Sequence, residues 1–320
     1  MFYKNMLVCF FLLVFFAPNL SYGQKDKKFF RNDYVYLDTT ESFYKINSIP
    51  KNFTNAKAAC FLEGATLWYP DDQEEADAVI SYWNSTQPTW WSVTLGISNF
   101  LIKGLFMTVD GKRLADVYHN WSIGEPNNYL GIEDCVDIRV NGKMLDIPCH
   151  IENPFICKKT LQSLEWDQQC NMPDLGYTFI ERSGRCYKLH SIPLNWTDAY
   201  NVCSAEQSYL AVVNNWLEVD DLISFADVGP KRWDGGSYIR GIYHVGFHNI
   251  FNHGWQTIHG APFNDSLLWW GRQPVGGTYD RCGSMFYMGR MTQIDCGLKC
   301  LFLCEHEVSQ PYTARDNEDN

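Results

Sequence analysis

The sequence predicts an α+β protein in which one unit occurs twice in tandem, each copy stapled by disulfides. Three observations point there. The chain has 320 residues, enough for two domains of ordinary size. A pattern of helix, short apolar strand and second helix occurs twice, and each copy closes on two cysteines with the same spacing, Cys149 and Cys157, then Cys296 and Cys304. Cysteine occurs 12 times without a CxxC, the usage of a disulfide framework in an oxidising compartment rather than of paired metal ligands.

The elements follow in order. Residues 1–23 have the layout of a secretory leader: Lys4, an apolar run from Met6 to Ala17, and small Ser21 and Gly23 before a cut at Gln24. The run is short for a membrane span and no other long apolar run exists, so the product is expected to be secreted and extracellular, with no membrane span. In the first copy Ala56–Cys60 lies on a helical pattern, Gly64–Leu67 turns into a strand, and Asp72–Trp83 forms the second helix. Asp71 or Asp72 is its N-cap, and Glu74 suits the positive end of the helix dipole. The second copy repeats this with Asp198–Cys203, Ser208–Val212 and Trp216–Ala226, capped by Asn214 or Asn215, with Glu218 in the first turn. The expected organisation is domain one over 29–160, a linker over 161–169, domain two over 170–308, and an acidic disordered tail over 309–320. Trp90, Trp91, Trp121, Trp269 and Trp270 are read as core residues, whereas Tyr129 is the aromatic available to stack on a ligand.

The formal charge is −11, becoming −12 once Lys4 leaves with the leader, which argues against a nucleic-acid-binding surface. Five sequons, at Asn52, Asn84, Asn120, Asn195 and Asn264, are candidate glycosylation sites of a secreted chain. A glycan on Asn120 would crowd the loop that follows. His244, His248, His253 and His259 are spaced widely enough to suggest zinc, but they sit among Gly246, Gly254 and Gly260 and read as loop. No nucleophile elbow, zincin pattern or phosphate loop occurs, so no enzyme is expected.

The stretch from Trp121 to Cys157 carries the chemistry. Glu125, Asn127 and Glu133 fall within nine residues, Asp146 follows on the next apolar run, and Cys135, Cys149 and Cys157 pin the segment. Clustered hard oxygen ligands on a pinned loop suit calcium, which takes six to eight oxygens. Pro126 sits between two ligands, and a cis bond there would turn both side chains to one side.

Trp121, Gly124, the Glu125-Pro126-Asn127 triplet, Glu133-Asp134-Cys135, Asp146 and the Cys149–Cys157 close resemble the C-type lectin-like domain. The chain as a whole resembles a secreted invertebrate tandem protein of that family. The resemblance implies two helices, small antiparallel sheets and a long loop region in each domain. It implies disulfides Cys60–Cys157 and Cys135–Cys149 in domain one, and Cys203–Cys304, Cys282–Cys296 and Cys170–Cys186 in domain two. Cys300 is left over, as an interchain bond that would link an oligomer or as a buried inert thiol. The resemblance further implies calcium held by Glu125, Asn127, Glu133 and Asp146, with Glu125, Asn127 and Glu133 also binding the hydroxyls of mannose-type sugars. The family's fifth ligand, an asparagine, is replaced by Leu145, which weakens the site. An auxiliary calcium is not expected, because no acid lies between Ser92 and Val109 and Asn128 holds a position that is often Asp. In domain two, Gln273-Pro274-Val275 and Met291-Thr292-Gln293 lack the carboxylates, so calcium is expected in domain one only. The expected partners are glycans or glycoproteins, among them microbial surface sugars, with a role in innate recognition. The alternative is a non-sugar-binding extracellular interaction module with a degenerate calcium site.

Overall fold

A computed structural model describes residues 28–226, 237–263, 268–271 and 279–308. The leader, the sequon at Asn264, the Gln273-Pro274-Val275 segment and the tail lie outside the described residues.

Domain one comprises β1 (Val35–Leu37), β2 (Ser42–Lys51), α1 (Phe53–Leu62), β3 (Thr66–Leu67), α2 (Gln73–Thr86), β4 (Ser92–Ser98), β5 (Met107–Thr108), β6 (Glu133–Arg139), β7 (Met144–Pro148) and β8 (Asn153–Thr160). Domain two repeats the series as β9 (Thr178–Ile180), β10 (Arg185–Leu194), α3 (Trp196–Ala205), β11 (Tyr209–Leu210), α4 (Trp216–Ala226), β12 (Ile239–His248), β13 (Gln256–Thr257), β14 (Cys282–Phe286), β15 (Met291–Ile294) and β16 (Cys300–Glu307). The sheet orders are β1-β2-β8-β4-β6-β7 and β9-β10-β16-β12-β14-β15, with two short strands attached to each. Each domain therefore has one continuous sheet, not separate small ones. Its pairings are antiparallel except at its middle, where β4 runs parallel to β8 and β12 to β16.

Local chemistry explains the helix starts. Asp72 Oδ1 accepts from Glu75 N at 2.9 Å and Asn215 Oδ1 accepts from Glu218 N at 3.1 Å, so these are the caps of α2 and α4. Asn52 and Asn195, read from sequence only as sequons, cap α1 and α3 by the same bond, to Asn55 N at 2.9 Å and Asp198 N at 2.8 Å. Each cap is worth about 1 kcal/mol. From α2, Ala76, Val79, Ile80 and Trp83 pack on Trp68, Val93, Leu95 and Ile97 to build the first core. At the same place in both sheets a glycine lets another strand approach. A Cβ on Gly96 would sit 2.2 Å from Leu67 O, and one on Gly246 would sit 2.2 Å from Leu210 O.

A buried acid fastens the second helix of each domain. Glu75 accepts from Tyr44 Oη at 2.7 Å, Trp68 Nε1 at 3.1 Å and Asp71 N at 2.9 Å, and pairs with buried Lys158 at 2.7 Å. Domain two keeps the acid as Glu218, which accepts from Asn214 N at 2.7 Å. Where β8 carries Lys158, however, β16 carries Glu305, and the cation comes from Arg185 of β10.

The disulfides are Cys60–Cys157, Cys135–Cys149, Cys170–Cys186, Cys203–Cys304 and Cys282–Cys296. Cys300 is fully buried at the start of β16, and burial pushes its thiol up to about 12. A thiol so enclosed and so weakly acidic is not placed for an interchain bond, so the buried reading replaces the oligomeric one. Two tryptophans expected in the core are not there: Trp91 and Trp270 lie on the surface, whereas Trp269 is buried and Trp90 and Trp121 pack at the edge of the core. His244 and His248 are not loop residues but part of β12. Buried His244 meets Ser284 Oγ and Leu298 O, both at 3.1 Å.

The domains meet through the segment before β1. Asn32 N donates to Ala205 O at 2.8 Å and Asn32 Nδ2 donates to Ser204 O at 2.9 Å, satisfying carbonyls at the end of α3. Beside it Arg31 reaches Glu206 at 3.1 Å, both side chains being buried.

Candidate calcium and sugar site

The loop from Trp121 to Ile132 is stitched to β7. Ser122 N donates to Met144 O and Met144 N donates to Asn120 O, both at 2.8 Å. From the same strand Asp146, 3% exposed, accepts from Asn127 N at 3.0 Å and Asn128 N at 2.8 Å. Its carboxylate is therefore the anchor of the loop as well as a candidate ligand. The Glu125–Pro126 bond is cis, and Asn127 Nδ2 donates to Glu125 Oε2 at 2.7 Å. Asn128 follows in the left-handed region at φ 46°, a conformation asparagine tolerates. Its Oδ1 accepts from Glu133 N at 3.2 Å, and Glu133 Oε2 accepts from Tyr129 N at 2.7 Å.

The structure thus ties Glu125, Asn127, Glu133 and Asp146 into one loop-and-strand unit. Burial, the contact with Asp146 and the negative charges of Asp146 and Glu133 all push the Glu125 carboxyl up. No Lys or Arg occurs between Trp121 and Ile138 to offset those charges. Three acids and an amide oxygen with no internal countercharge match what calcium requires of a donor set. The carboxylates are nonetheless loosely gathered. Among the described residues, the trio of His, Cys, Asp or Glu atoms lying within 4.8 Å of one another is His190, Glu206 and Cys304. Since Cys304 is disulfide-bonded, that trio reads as an ion pair.

Leu145 stands half-buried beside Asp146, opposite Asp137 on β6, and offers no oxygen. Tyr129 is exposed at the start of a short turn, free to stack. Asn120 spends its amide inside the fold: Oδ1 accepts from Lys143 Nζ at 2.6 Å and Nδ2 donates to Tyr118 Oη at 3.2 Å. In domain two, Trp269 bridges to Met291 as Trp121 does to Met144, so Thr292 and Gln293 occupy the positions of Leu145 and Asp146. An apolar run that sequence reading passed over, Asn99 to Phe106, also reaches this region, with Lys103 bonded to Asp134.

A model of the Lectin C-type domain family matches residues 49–159 and 192–306, more than half of the chain, and the protein belongs to that family. Its two domains are both C-type lectin domains. Human collectin-10 is similar at 30% identity over 121 residues, covering 38% of this chain and 43% of that protein. The hemolymph lipopolysaccharide-binding protein of Periplaneta americana is similar at 29% over 133 residues, covering 39% of this chain and 52% of that protein. The chain spans about half the length of these curated relatives. Among solved structures, the mouse scavenger receptor C-type lectin carbohydrate-recognition domain matches at 24% identity and TM-score 0.36, covering 40% of this chain and 94% of that one. No helix among the described residues is long and apolar enough to cross a membrane.

Proposed function

We propose that the protein is a secreted lectin that recognises mannose-type sugars on glycans or microbial surfaces through domain one, with calcium held by Glu125, Asn127, Glu133 and Asp146. The observation that carries this reading is the hydrogen-bonded unit that gathers Glu125, Asn127, Glu133 and Asp146 on one loop and its neighbouring strand. Calcium, when bound, supplies a Lewis-acidic centre to which two vicinal hydroxyls bind. Around it, Glu125 and Glu133 accept hydrogen bonds from those hydroxyls and Asn127 donates, charge-assisted bonds being stronger than neutral ones. Asp146 holds the loop in register through the Asn127 and Asn128 amides. Domain two, without the acids, holds no calcium in this reading and serves as a packing partner. Extracellular work in innate recognition is supported by the Periplaneta americana relative, which is named for hemolymph and for binding lipopolysaccharide.

One observation favours a second reading, an interaction module without sugar binding: Leu145 removes a ligand and a hydroxyl-facing donor. Thermal unfolding of the full chain in millimolar calcium and in chelator separates the two. With calcium at several times its dissociation constant, mass action stabilises the fold by about 1 kcal/mol, a shift of a few degrees. Glu125→Ala should abolish the shift. Identical curves with and without calcium would overturn the calcium reading and leave the second.

A further inference from the structure

Large apolar side chains stand out in solvent on the two loops that carry and adjoin the candidate site. On the Asn99–Phe106 run, Phe100, Leu101 and Ile102 are exposed, Leu101 by 84%. On the site loop itself Ile123 is fully exposed and Leu130 is 75% exposed, close to Tyr129. Leu130 adopts φ 55°, a conformation leucine seldom takes, and its side chain is left in solvent there. Isolated exposed leucines need no explanation, but a concentration on adjoining loops marks a binding surface. The two runs are adjacent. Asn99 N donates to Asp134 O at 2.9 Å and Lys103 pairs with the Asp134 side chain, next in the chain to Glu133.

We propose that these apolar tips receive the acyl chains of a neutral glycolipid whose sugar headgroup occupies the Glu125–Asp146 site. The inference rests on the sugar-binding reading above and names the form in which the sugar is presented. Charge selects the lipid. Lys103 is the one charged residue of the Asn99–Phe106 run, and it is already held by Asp134. Glu125 and Glu133 sit beside the tips, so anionic headgroups are repelled and uncharged ones are not. The polar pair Lys103–Asp134 also lies within the apolar surface. A fluid acyl layer fills around such a break, whereas a flat protein interface would bury it.

The test is flotation of the full chain, in calcium, with phosphatidylcholine vesicles carrying a mannosyl-diacylglycerol, set against binding to a water-soluble mannoside polymer of matched density. Burying one leucine-sized side chain is worth about tenfold in affinity, so wild type should favour the vesicles by about tenfold or more. Leu101→Ser with Ile102→Ser, both surface changes, should remove that excess and leave soluble-mannoside binding unaltered. Equal affinity of wild type for the two presentations, with soluble binding intact, refutes the lipid inference alone. Failure to bind either presentation refutes the sugar reading and this inference with it. Binding to sugar-free or anionic vesicles to the same extent, or a Leu101-dependent dimer in light scattering, also overturns it.

Discussion

Glu206→Gln is the most informative single change at the domain boundary. Glu206 caps the C-terminus of α3, the negative end of the helix dipole, where a carboxylate is out of place. It is 4% exposed, and cations and a hydroxyl surround it: Arg31, Lys188 and His190 each at 3.1 Å and Tyr177 Oη at 2.9 Å. Burial alone would push the carboxyl up. His190, Lys188 and Arg31 overcome it and hold the group at about 2, against an ordinary 4.5. A depression of that size corresponds to about 3 kcal/mol, present above the ordinary value and lost as pH falls towards the depressed one. Removing one partner from a buried charge cluster costs about 3–5 kcal/mol, since the cations stay behind. Both routes agree on a loss near 3 kcal/mol at neutral pH, or about 10 °C in the transition that includes domain two. Arg31→Met should cost less, about 1–2 kcal/mol, because Glu206 keeps Lys188 and His190 while Asp33 keeps Lys45. Calorimetry on both single variants and the double variant gives the coupling directly. A neutral-pH loss under about 1 kcal/mol for Glu206→Gln, or one that does not shrink towards pH 2, would refute the reasoning. Zero coupling between Arg31 and Glu206 would show that the domains are not joined through this pair.

The two sheets should respond to pH with opposite sign at one equivalent pair of positions. In domain one Asp137 lies against Thr94, and burial pushes it up to about 6 despite bonds from Thr94, Ser92 and Asn153. Its contribution is complete below the ordinary 3.8 and lost as pH rises through about 6. In domain two the pair is His244 and Ser284, and burial pushes His244 down to about 4. That contribution is complete above the ordinary 6.5 and lost as pH falls through about 4. Hydrogen exchange of β4 and β12 between those limits should show acid protecting the first and exposing the second; parallel responses would contradict it. Gly96→Ala drives a Cβ against Leu67 O and should cost about 3 kcal/mol or more in urea unfolding, with Gly246→Ala matching it; a loss below about 1 kcal/mol at either site would disprove the close approach.

How much of this was legible in the chain depends on what each residue answers to. The helices were readable because apolar periodicity and capping residues act within one turn, as Asp72 and Asn215 show. The long-range polar links were not. Nothing local marks Glu75 rather than Glu74 as the buried acid, since the distinction lies in Tyr44, Trp68 and Lys158 arriving from other strands. Likewise His244 sits among glycines and looked like loop, yet Gly246 is a strand residue whose missing side chain admits β11. Arg31 and Asn32 precede every recognisable motif, and their role exists only once α3 ends beside them. Within the candidate site the clustering of Glu125, Asn127, Glu133 and Asp146 was visible in the chain, and the resemblance proposed them as ligands. The second task of Asp146, holding the Asn127 and Asn128 amides, and the apolar tips on the adjoining loop were not.

That second task bears on why the two domains diverged where they did. Gly246, the Cys282–Cys296 pair and the Asn195 cap answer to backbone geometry, and any change in them distorts the sheet or a helix end. Ligands answer to the ion alone, unless they also hold the chain. In the calcium reading proposed above Asp146 does both, so a substitution there that keeps an oxygen for the backbone N–H groups costs the loop less than one that does not. Gln293, at the equivalent position of β15, has a side-chain oxygen and no charge. In that reading domain two is the same scaffold without a carboxylate at this position. In the same calcium reading, domain one keeps the charge and lacks a side-chain oxygen at Leu145, so Leu145→Asn should strengthen calcium binding without altering the fold, as titration calorimetry of the full chain would register. An unchanged affinity would mean that water already completes the coordination there.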